Sequence, residues 1–308
     1  MKQSDILALG EPMVEFNQAG DGGGRRYLQG FGGDTSNAAI AAARQGARVG
    51  YLSALGDDSY GRMLRALWSR EGVDHAGVRT DADAFTAVYF VEHDEGGHHF
   101  SFFRKGSAAS RMAPAQLPRE RIAAARVLHL SGISAAISES ACATCLAAVD
   151  IAKAAGVAVS FDTNLRLKLW PIARARAVMR ELIGLSDICL PSYEDVAAIS
   201  GLDDADALVD WCLQLGSKTV ALKLGAQGAL LADASTRIRI PPHPCTPVDA
   251  TGAGDTFAGA FLARWVAGDG LEAAGRYAAV AAALSTQGYG AVEPIPTAAQ
   301  VRAAAASA

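Results

Sequence analysis

The chain has 308 residues, of which 50% are hydrophobic and 19% charged, and its formal net charge is −4 at pH 7. This length is long for one small domain and allows a large core, so we expect one α/β body with at most a small appendage. The slight acidity and the lack of Lys/Arg runs argue against nucleic-acid and membrane-surface partners.

The first residues, MKQSDILALGEPMVEF, contain an apolar stretch that Gly10, Glu11 and Pro12 interrupt. It is too short for a signal peptide, and no apolar run reaches the length of a membrane span, so we expect a soluble cytoplasmic protein. The spacing of the five cysteines does not suggest a disulfide framework. Cys142 and Cys145 form a C-x-x-C in an Ala-rich segment, and we interpret them as small residues on a packed helix.

Two segments near the N-terminus predict a small sheet outside the main body. Residues from about 12 to 30 contain extended pieces around a glycine run, and residues from about 84 to 106 contain two apolar strands joined by a turn at Asp94 to Gly97. A detached sheet with an apolar face has to cover something, so we expect a lid over a site and a homodimer or higher homo-oligomer. The expected organisation is one domain, residues 1–308, with this β lid.

Along the rest of the chain, short β-branched or Leu-rich runs alternate with Ala-rich segments of helical period. The predicted strands are ARVGYLSAL, RVLHLSGI, VAVSFD, DICLPS and TVALKLG. Such alternation predicts a mostly parallel sheet with helices on both faces. Ligands of open sheets bind beyond the carboxyl ends of the strands, so the polar segments SGIS, DTNLR, PSYED and LGAQG are candidate site residues.

The most specific motif is PVDATGAGDTFAGAFLARW, residues 247–265. Gly252, Ala253 and Gly254 leave backbone N–H groups unobstructed before an apolar helix that we expect to begin near Asp255. Successive N–H groups at a helix N-terminus form an anion hole that suits a phosphate. A carboxylate at its mouth can accept the proton of a hydroxyl that attacks phosphorus, so Asp255 is predicted to be the catalytic base.

This motif resembles the C-terminal signature of the ribokinase-like, or phosphofructokinase-B, carbohydrate kinases, and FGGDTSNAAIAAARQGARVGYLSALGDDSYG, residues 31–61, is similar to a second signature. The resemblance implies the ribokinase-like α/β fold, with a small β lid, and a sugar kinase that uses ATP and Mg²⁺. Physically, the glycine pair Gly32 and Gly33 lets a polyol approach the backbone. Asn37 can both donate to and accept from sugar hydroxyls.

The resemblance also implies where the nucleotide and its metal bind. In the family's N-x-x-E motif, which organises water around magnesium, this chain has Ser192 for Asn and Asp195 for Glu. The adjacent Glu194 therefore remains an alternative to Asp195 as the metal residue. Asp249 matches a monovalent-cation ligand of some relatives. The positions that match the family's nucleotide site are Ser192, Lys223, Gly225, Gly228, Thr251, Gly252 and Gly254, with Ala282 and Gln287 near the adenine.

Several strings, above all FDTNLRLKLW, are similar to those of 2-keto-3-deoxygluconate kinases. The carboxylate of such a sugar acid needs a cation or several donors. The resemblance implies that Arg166 and Arg104 contact the acid and its hydroxyls, and that Phe102 replaces a Tyr frequent in the family. The remaining implied substrate contacts are Gly33, Asp34, Asn37, Tyr89, Asn164 and Asp255. A neutral-sugar kinase, such as a fructokinase or ribokinase, and a non-catalytic sugar sensor remain alternatives.

Overall fold

The computed structural model describes residues 4–19, 26–94 and 97–306, so most of the predicted glycine run lies outside it. The strands of this part are β1 (Ile6–Leu9), β2 (Met13–Gln18), β3 (Tyr27–Gly32), β4 (Val49–Gly56), β5 (Asp74–Asp81), β6 (Val88–Asp94), β7 (Gly97–Phe103), β8 (Val127–Ser131), β9 (Ala158–Asp162), β10 (Ile188–Cys189), β11 (Thr219–Lys223), β12 (Ala229–Ala232) and β13 (Arg237–Ile240). The α-helices are α1 (Asp34–Arg44), α2 (Ser59–Arg70), α3 (Arg119–Ala123), α4 (Gly132–Ala136), α5 (Glu139–Ala154), α6 (Ile172–Leu185), α7 (Tyr193–Ser200), α8 (Ala205–Leu215), α9 (Ala253–Ala267), α10 (Leu271–Ser285) and α11 (Ala298–Ala306).

In the described part of the chain, nine strands form the main sheet, in the order β13-β12-β11-β10-β9-β8-β1-β4-β5. All adjacent strands between β5 and β11 pair in parallel. At the other edge, β12 pairs antiparallel with β11, and β13 pairs antiparallel with β12. The predicted mostly parallel sheet is thus confirmed. The chain runs from β1 to β4 on one side and returns to β8 on the other, and parallel sheets bind ligands where the strand order reverses in this way.

Helices cover both faces of this sheet, as predicted. Along β1, Leu7 and Leu9 contribute to one core with α5, α6 and α8, whereas Ile6 and Ala8 contribute to the other core with α1, α9 and α10. This alternation follows from the period of two in a strand, whose successive side chains point to opposite faces. Both faces of the central strands are apolar, and this explains why β1, β4 and β8 are buried along their whole length.

Four strands form a second sheet, in the order β3-β2-β6-β7, which we call the lid sheet. The strands β2 and β6 are parallel, and the two outer pairs are antiparallel. On one face the rings of Tyr89, Phe100 and Phe102 stack with centroids 5.5–6.5 Å apart. On the other face Phe16 stacks on Phe90 and meets Tyr60 of α2 edge-on, so the lid sheet packs against the main body there.

The helices α1 and α9 pack unusually closely because Gly259 faces α1. A Cβ atom at Gly259 would lie 2.2 Å from the carbonyl oxygen of Ala38 and 2.7 Å from the Cβ of Ala41. Only a residue without a side chain allows this approach. The contact brings the start of α9 beside the first turns of α1, where Asn37 and Asp255 lie.

Two smaller expectations also have a structural outcome. Cys142 and Cys145 are buried thiols on α5, which matches their interpretation as small residues on a packed helix. In the part of the chain that the structure describes, no helix has the length and apolar character needed to cross a membrane.

Candidate active site

A cavity of about 750 Å³ lies between the carboxyl edge of the main sheet and the lid sheet. Residues far apart in the sequence meet there because the parallel strands end at the same edge. The predicted site residues that line it are Gly33, Asp34, Asn37, Tyr89, Phe102, Arg104, Asn164, Arg166, Ser192, Glu194, Asp195, Lys223, Thr251, Gly252, Gly254 and Asp255. The predicted residues Ala253, Gly225, Gly228, Ala282 and Gln287 are not part of its lining.

The predicted anion hole lies at the start of α9, which begins two residues earlier than the sequence suggested. Gly252 has φ 76° and precedes the first helical residue, Ala253, so Asp255 is the third residue of the helix. The N–H group of Ala253 donates to the carbonyl of Ala250 at 3.2 Å. Gly254 and Asp255 therefore offer the better-placed donors in this first helical turn, whose N–H groups have no acceptor within the helix.

Among the described residues, one side chain donates a hydrogen bond to the carboxyl group of Asp255. The Nδ2 of Asn37, on the facing turn of α1, donates to Asp255 Oδ2 at 2.8 Å. Burial, assisted by the negative charge of Asp34, raises the pKa of Asp255 to about 7, although the bond from Asn37 opposes this. A carboxylate with a pKa close to neutrality suits a general base.

A second carboxylate, which the sequence reasoning did not single out, lines the same cavity as Asp255. Asp162, the last residue of β9, receives the Nζ of Lys223 on its Oδ2 at 2.5 Å. A Cβ atom on Gly254 would lie 3.5 Å from this Nζ, so the ammonium group is next to the anion hole. The signal in the sequence was an acid at the carboxyl end of a buried strand, in FDTNLR, where only the Asn and Arg were chosen as site residues.

The next two residues connect other parts of the site. Thr163 donates through Oγ1 to Asp195 Oδ2 at 2.9 Å, and Asn164 donates through Nδ2 to Asp34 Oδ2 at 3.1 Å. Asn164 has φ 30°, in the region that residues with a Cβ rarely adopt, and such strain persists only where the surroundings impose it. The segment after β9 therefore links α7 and α1 to the sheet edge.

Of the two candidate magnesium residues, Asp195 fits the role better. Its carboxylate faces Thr163 in the cavity wall, and burial raises its pKa, whereas Glu194 is exposed. Among the described residues, no group of three or more His, Cys, Asp or Glu side chains could hold a metal. Magnesium commonly keeps several waters and takes one or two carboxylates together with phosphate oxygens, so this donor set is compatible with it.

At the other end of the cavity, two buried glutamates accept hydrogen bonds from two of the predicted substrate-binding residues. Arg104 donates through Nε to Glu11 Oε2 at 2.7 Å, and the hydroxyl of Tyr89 donates to Glu15. The side chain of Glu11 is 0% exposed, and burial raises its pKa although Arg104 opposes the shift. The positive charge of Arg104 is therefore already compensated. The sequence reasoning missed both glutamates.

Arg166 differs from Arg104 in that its positive charge is not compensated by a nearby carboxylate of the described residues. It is exposed in the cavity, and its Nη1 donates to the carbonyl of the adjacent Leu165 at 2.8 Å. No described residue supplies a carboxylate to it. Arg166 is therefore a cation that remains available to a ligand.

The predicted substrate residue Phe102 lies beside Arg104, and the guanidinium carbon of Arg104 is 5.8 Å from the centre of the Phe102 ring.

The loop before α9 is organised by Asp249. Its Oδ1 accepts from the N–H and the hydroxyl of Thr251, at 2.9 and 2.6 Å, and its Oδ2 accepts from the N–H of Gly290 at 2.9 Å. Both oxygens thus stabilise the loops around the anion hole. The monovalent-cation role of Asp249 stays a prediction.

The site and the sheet together define the class of enzyme to which the protein belongs. A helix-start anion hole, a carboxylate at its mouth and a lid sheet lie at the carboxyl edge of a parallel α/β sheet, which is the arrangement of an enzyme that transfers a phosphoryl group to a hydroxyl. The sequence profile of the pfkB family carbohydrate kinases matches residues 3–298, so the chain belongs to this family. It is a carbohydrate kinase, as the sequence predicted.

Individual relatives agree with this assignment. The chain is 34% identical to fructokinase-1 of Oryza sativa subsp. japonica over 310 residues, with 96% of each chain covered. It is 33% identical to 2-dehydro-3-deoxygluconokinase of Thermoproteus tenax over 301 residues, covering 95% of this chain and 91% of the relative. A solved structure of a putative ribokinase II from E. coli, in complex with ATP and Mg²⁺, has a TM-score of 0.91 at 26% identity, covering 99% of this chain and 100% of that one.

Proposed function

We propose that the protein transfers the γ-phosphate of ATP to the terminal hydroxyl of 2-keto-3-deoxygluconate. The observation that carries the substrate assignment is Arg166, a cavity cation without a carboxylate partner among the described residues. The carboxylate of a sugar acid would compensate this charge through a bidentate interaction. The relative from Thermoproteus tenax, a 2-dehydro-3-deoxygluconokinase, supports the same choice.

In this proposal Asp255 takes the proton of the attacking hydroxyl. Asn37 holds one oxygen of the carboxylate, so the other remains for the substrate. The N–H groups of Gly254 and Asp255, with the ammonium of Lys223, stabilise negative charge on the transferring group. Magnesium, when bound with ATP, would neutralise phosphate charge, and Asp195 would hold its water shell. The positions of these groups around one cavity support the scheme.

The nucleotide would extend from the anion hole along the carboxyl ends of β11 and β10. Ser192 forms an isolated β-bridge with Lys223, so the two residues are neighbours at this edge. We propose that they contact the triphosphate together with Thr251 and Gly252. Gly225, Gly228, Ala282 and Gln287 lie outside the cavity lining and would meet the ribose and adenine beyond it. The ATP and Mg²⁺ complex of the putative ribokinase II supports this choice of cofactors.

A neutral sugar is the second candidate, and one contact favours it. Because Glu11 neutralises Arg104, the wall beneath the lid sheet carries no net charge from this pair. A fructose-like substrate would meet the same hydroxyl-binding residues without needing a second cation. The fructokinase relatives are as similar to the chain as the sugar-acid kinase.

The substitution Arg166→Ala separates the two candidates. Losing one charge-assisted hydrogen bond, about 1.5 to 3 kcal/mol, should lower kcat/KM for the sugar acid by roughly 10- to 100-fold. Activity on fructose or ribose should change far less. Lys168→Ala is the matched control, since Lys168 is an exposed cation of the same cavity wall. A wild-type enzyme that prefers a neutral sugar, or equal losses for both substrates, would rule out the sugar acid.

We further propose that the protein forms a homodimer through the lid sheet. Large apolar side chains of the sheet and its flank remain exposed, and they are Leu28 at 68%, Phe85 at 43%, Phe100 at 43%, Phe102 at 45% and Phe103 at 57%. So many exposed rings on a small sheet are typical of an interaction surface.

A further inference from the structure

The ion pair between Asp162 and Lys223 is not explained by stability alone. The side chain of Asp162 is 4% exposed and that of Lys223 12%, so both charges are largely removed from water. Burying an ion pair costs desolvation energy that the attraction between the two charges often fails to recover. In addition, Asp162 Oδ1 is buried without a hydrogen-bond partner among the described residues. A half-satisfied buried carboxylate at a cavity wall suggests a functional reason.

The position of the pair follows from the sheet. Asp162 ends β9 and Lys223 ends β11, and the strand between them, β10, has only two residues. The lysine side chain therefore reaches across the end of β10 to the carboxylate. This places the ammonium group beside Gly254, in the first turn of α9. The pair thus fixes a positive charge beside the predicted anion hole.

We propose that Asp162 is a positioning residue for phosphoryl transfer, which holds the Lys223 ammonium at the anion hole and balances its charge beside Asp255. This rests on the proposed kinase mechanism. Lysine has a flexible four-carbon stem and three donors, so Lys223 can keep one bond to Asp162 while it donates to a phosphate oxygen. Without Asp162, the ammonium is free to turn toward other carboxylates of the cavity.

The charged groups around Asp255 shift its pKa, so the pKa of Asp255 reports on the Asp162–Lys223 pair. Asp34 on α1 and Asp162 at the end of β9 raise its pKa, Lys223 on β11 lowers it, and the phenol of Tyr89 on the lid sheet also interacts with it electrostatically. Asp162→Asn removes a negative charge and leaves Lys223 uncompensated, so both effects lower the pKa of Asp255. Lys223→Gln removes a positive charge and raises it. A mere disturbance of the fold does not predict these opposite directions.

The first test uses the protein without nucleotide. The pKa of Asp255 is measured by ¹³C NMR titration of its carboxyl carbon, which Asp255→Asn identifies by the loss of its signal. We expect a lower pKa in Asp162→Asn and a higher one in Lys223→Gln. The matched control is Asp187→Asn, because Asp187 pairs with Lys218 at 2.7 Å at the opposite edge of the sheet. An unchanged pKa of Asp255 in both active-site variants would overturn the proposal.

The second test is a double-mutant cycle on kcat with ATP and the preferred sugar. If Asp162 acts through Lys223, each single variant loses about 10- to 100-fold, the factor of one charge-assisted hydrogen bond, and the double variant is no slower than Lys223→Gln alone. Additive losses would show that Asp162 acts independently and would refute the positioning role. Failure of the wild-type enzyme to phosphorylate any sugar would instead refute the proposed function, while the NMR titration would still decide the electrostatic part.

Discussion

At the scale of the residue, Asp255 combines access to the cavity with a pKa near neutrality. The carboxyl group loses hydration in the wall of the site and lies near the negative charge of Asp34, so its neutral form is favoured. Asn37 moderates this effect and orients the group. The same environment therefore costs the folded protein stability whenever the carboxyl group of Asp255 is ionised.

Because ionised Asp255 destabilises the folded protein, activity and stability should change in opposite directions as the pH rises. Because only the ionised base accepts a proton, kcat/KM should rise with pH through about 7. The folded-state pKa lies above the unfolded value, so the stability that Asp255 contributes is full below the unfolded pKa and is lost as pH rises through the folded one. Thermal unfolding should show Asp255→Asn gaining stability over wild type more at pH 8 than at pH 5. An equal difference at both pH values would contradict the raised pKa.

Sequence reasoning selected residues that line the cavity more readily than it selected the residues that pair with them. Asp255 and Arg166 stand in motifs with a clear chemical meaning, so they could be selected directly. Glu11 and Asp162 become significant only through Arg104 and Lys223, which lie 93 and 61 positions away in the chain. Such pairings depend on which strands become neighbours, and the local sequence pattern contains no information about that.

At the scale of the element, the site depends on how closely α9 packs on α1. The two helices make one of the largest contacts between elements in the structure, and Gly259 allows it. The strand pattern was predictable because buried parallel strands are short apolar runs between helical segments. The strands β1, β5, β12 and β13 were not among the predicted strands. In β5 and β13, exposed charged residues such as those of RIRI obscure the apolar pattern.

The substitution Gly259→Ala tests this packing. Alanine is the better helix former by about 1 kcal/mol, but overpacking a tight contact costs about 1 to 3 kcal/mol. Because the new Cβ would meet the backbone of α1 at 2.2 Å, we expect a net loss of stability and of turnover, measured by denaturant unfolding and steady-state kinetics. Gly270→Ala is the control, since nothing lies within 4 Å of its Cβ position. An increase in stability at position 259 would show that the helices separate readily.

At the scale of the whole molecule, the lid sheet both borders the cavity and exposes apolar rings. Tyr89 and Phe102 line the cavity, while Phe103 on the neighbouring position of β7 points to the other face and is 57% exposed. Strands with alternating faces can serve both purposes at once. A partner that covers the exposed rings would also hold the sheet over the substrate.

We expect analytical ultracentrifugation to show a dimer that Phe103→Ser weakens. This change removes an exposed ring without altering the cavity lining. Leu202→Ser, at a 37% exposed apolar residue just after α7, should leave the association unchanged. A wild-type monomer at every concentration would exclude the dimer, and equal effects of the two substitutions would exclude the lid sheet as its interface.

The turnover of Asp255→Asn, measured with ATP and the sugar that the wild-type enzyme prefers, tests directly whether Asp255 is the catalytic base. The substitution keeps the shape of the side chain and the start of α9 but removes the proton acceptor. We expect kcat to fall by about 100-fold or more, the scale of general-base catalysis, while the affinity for nucleotide, measured by calorimetry, stays nearly unchanged. Near-normal turnover in this variant would remove Asp255 from the mechanism.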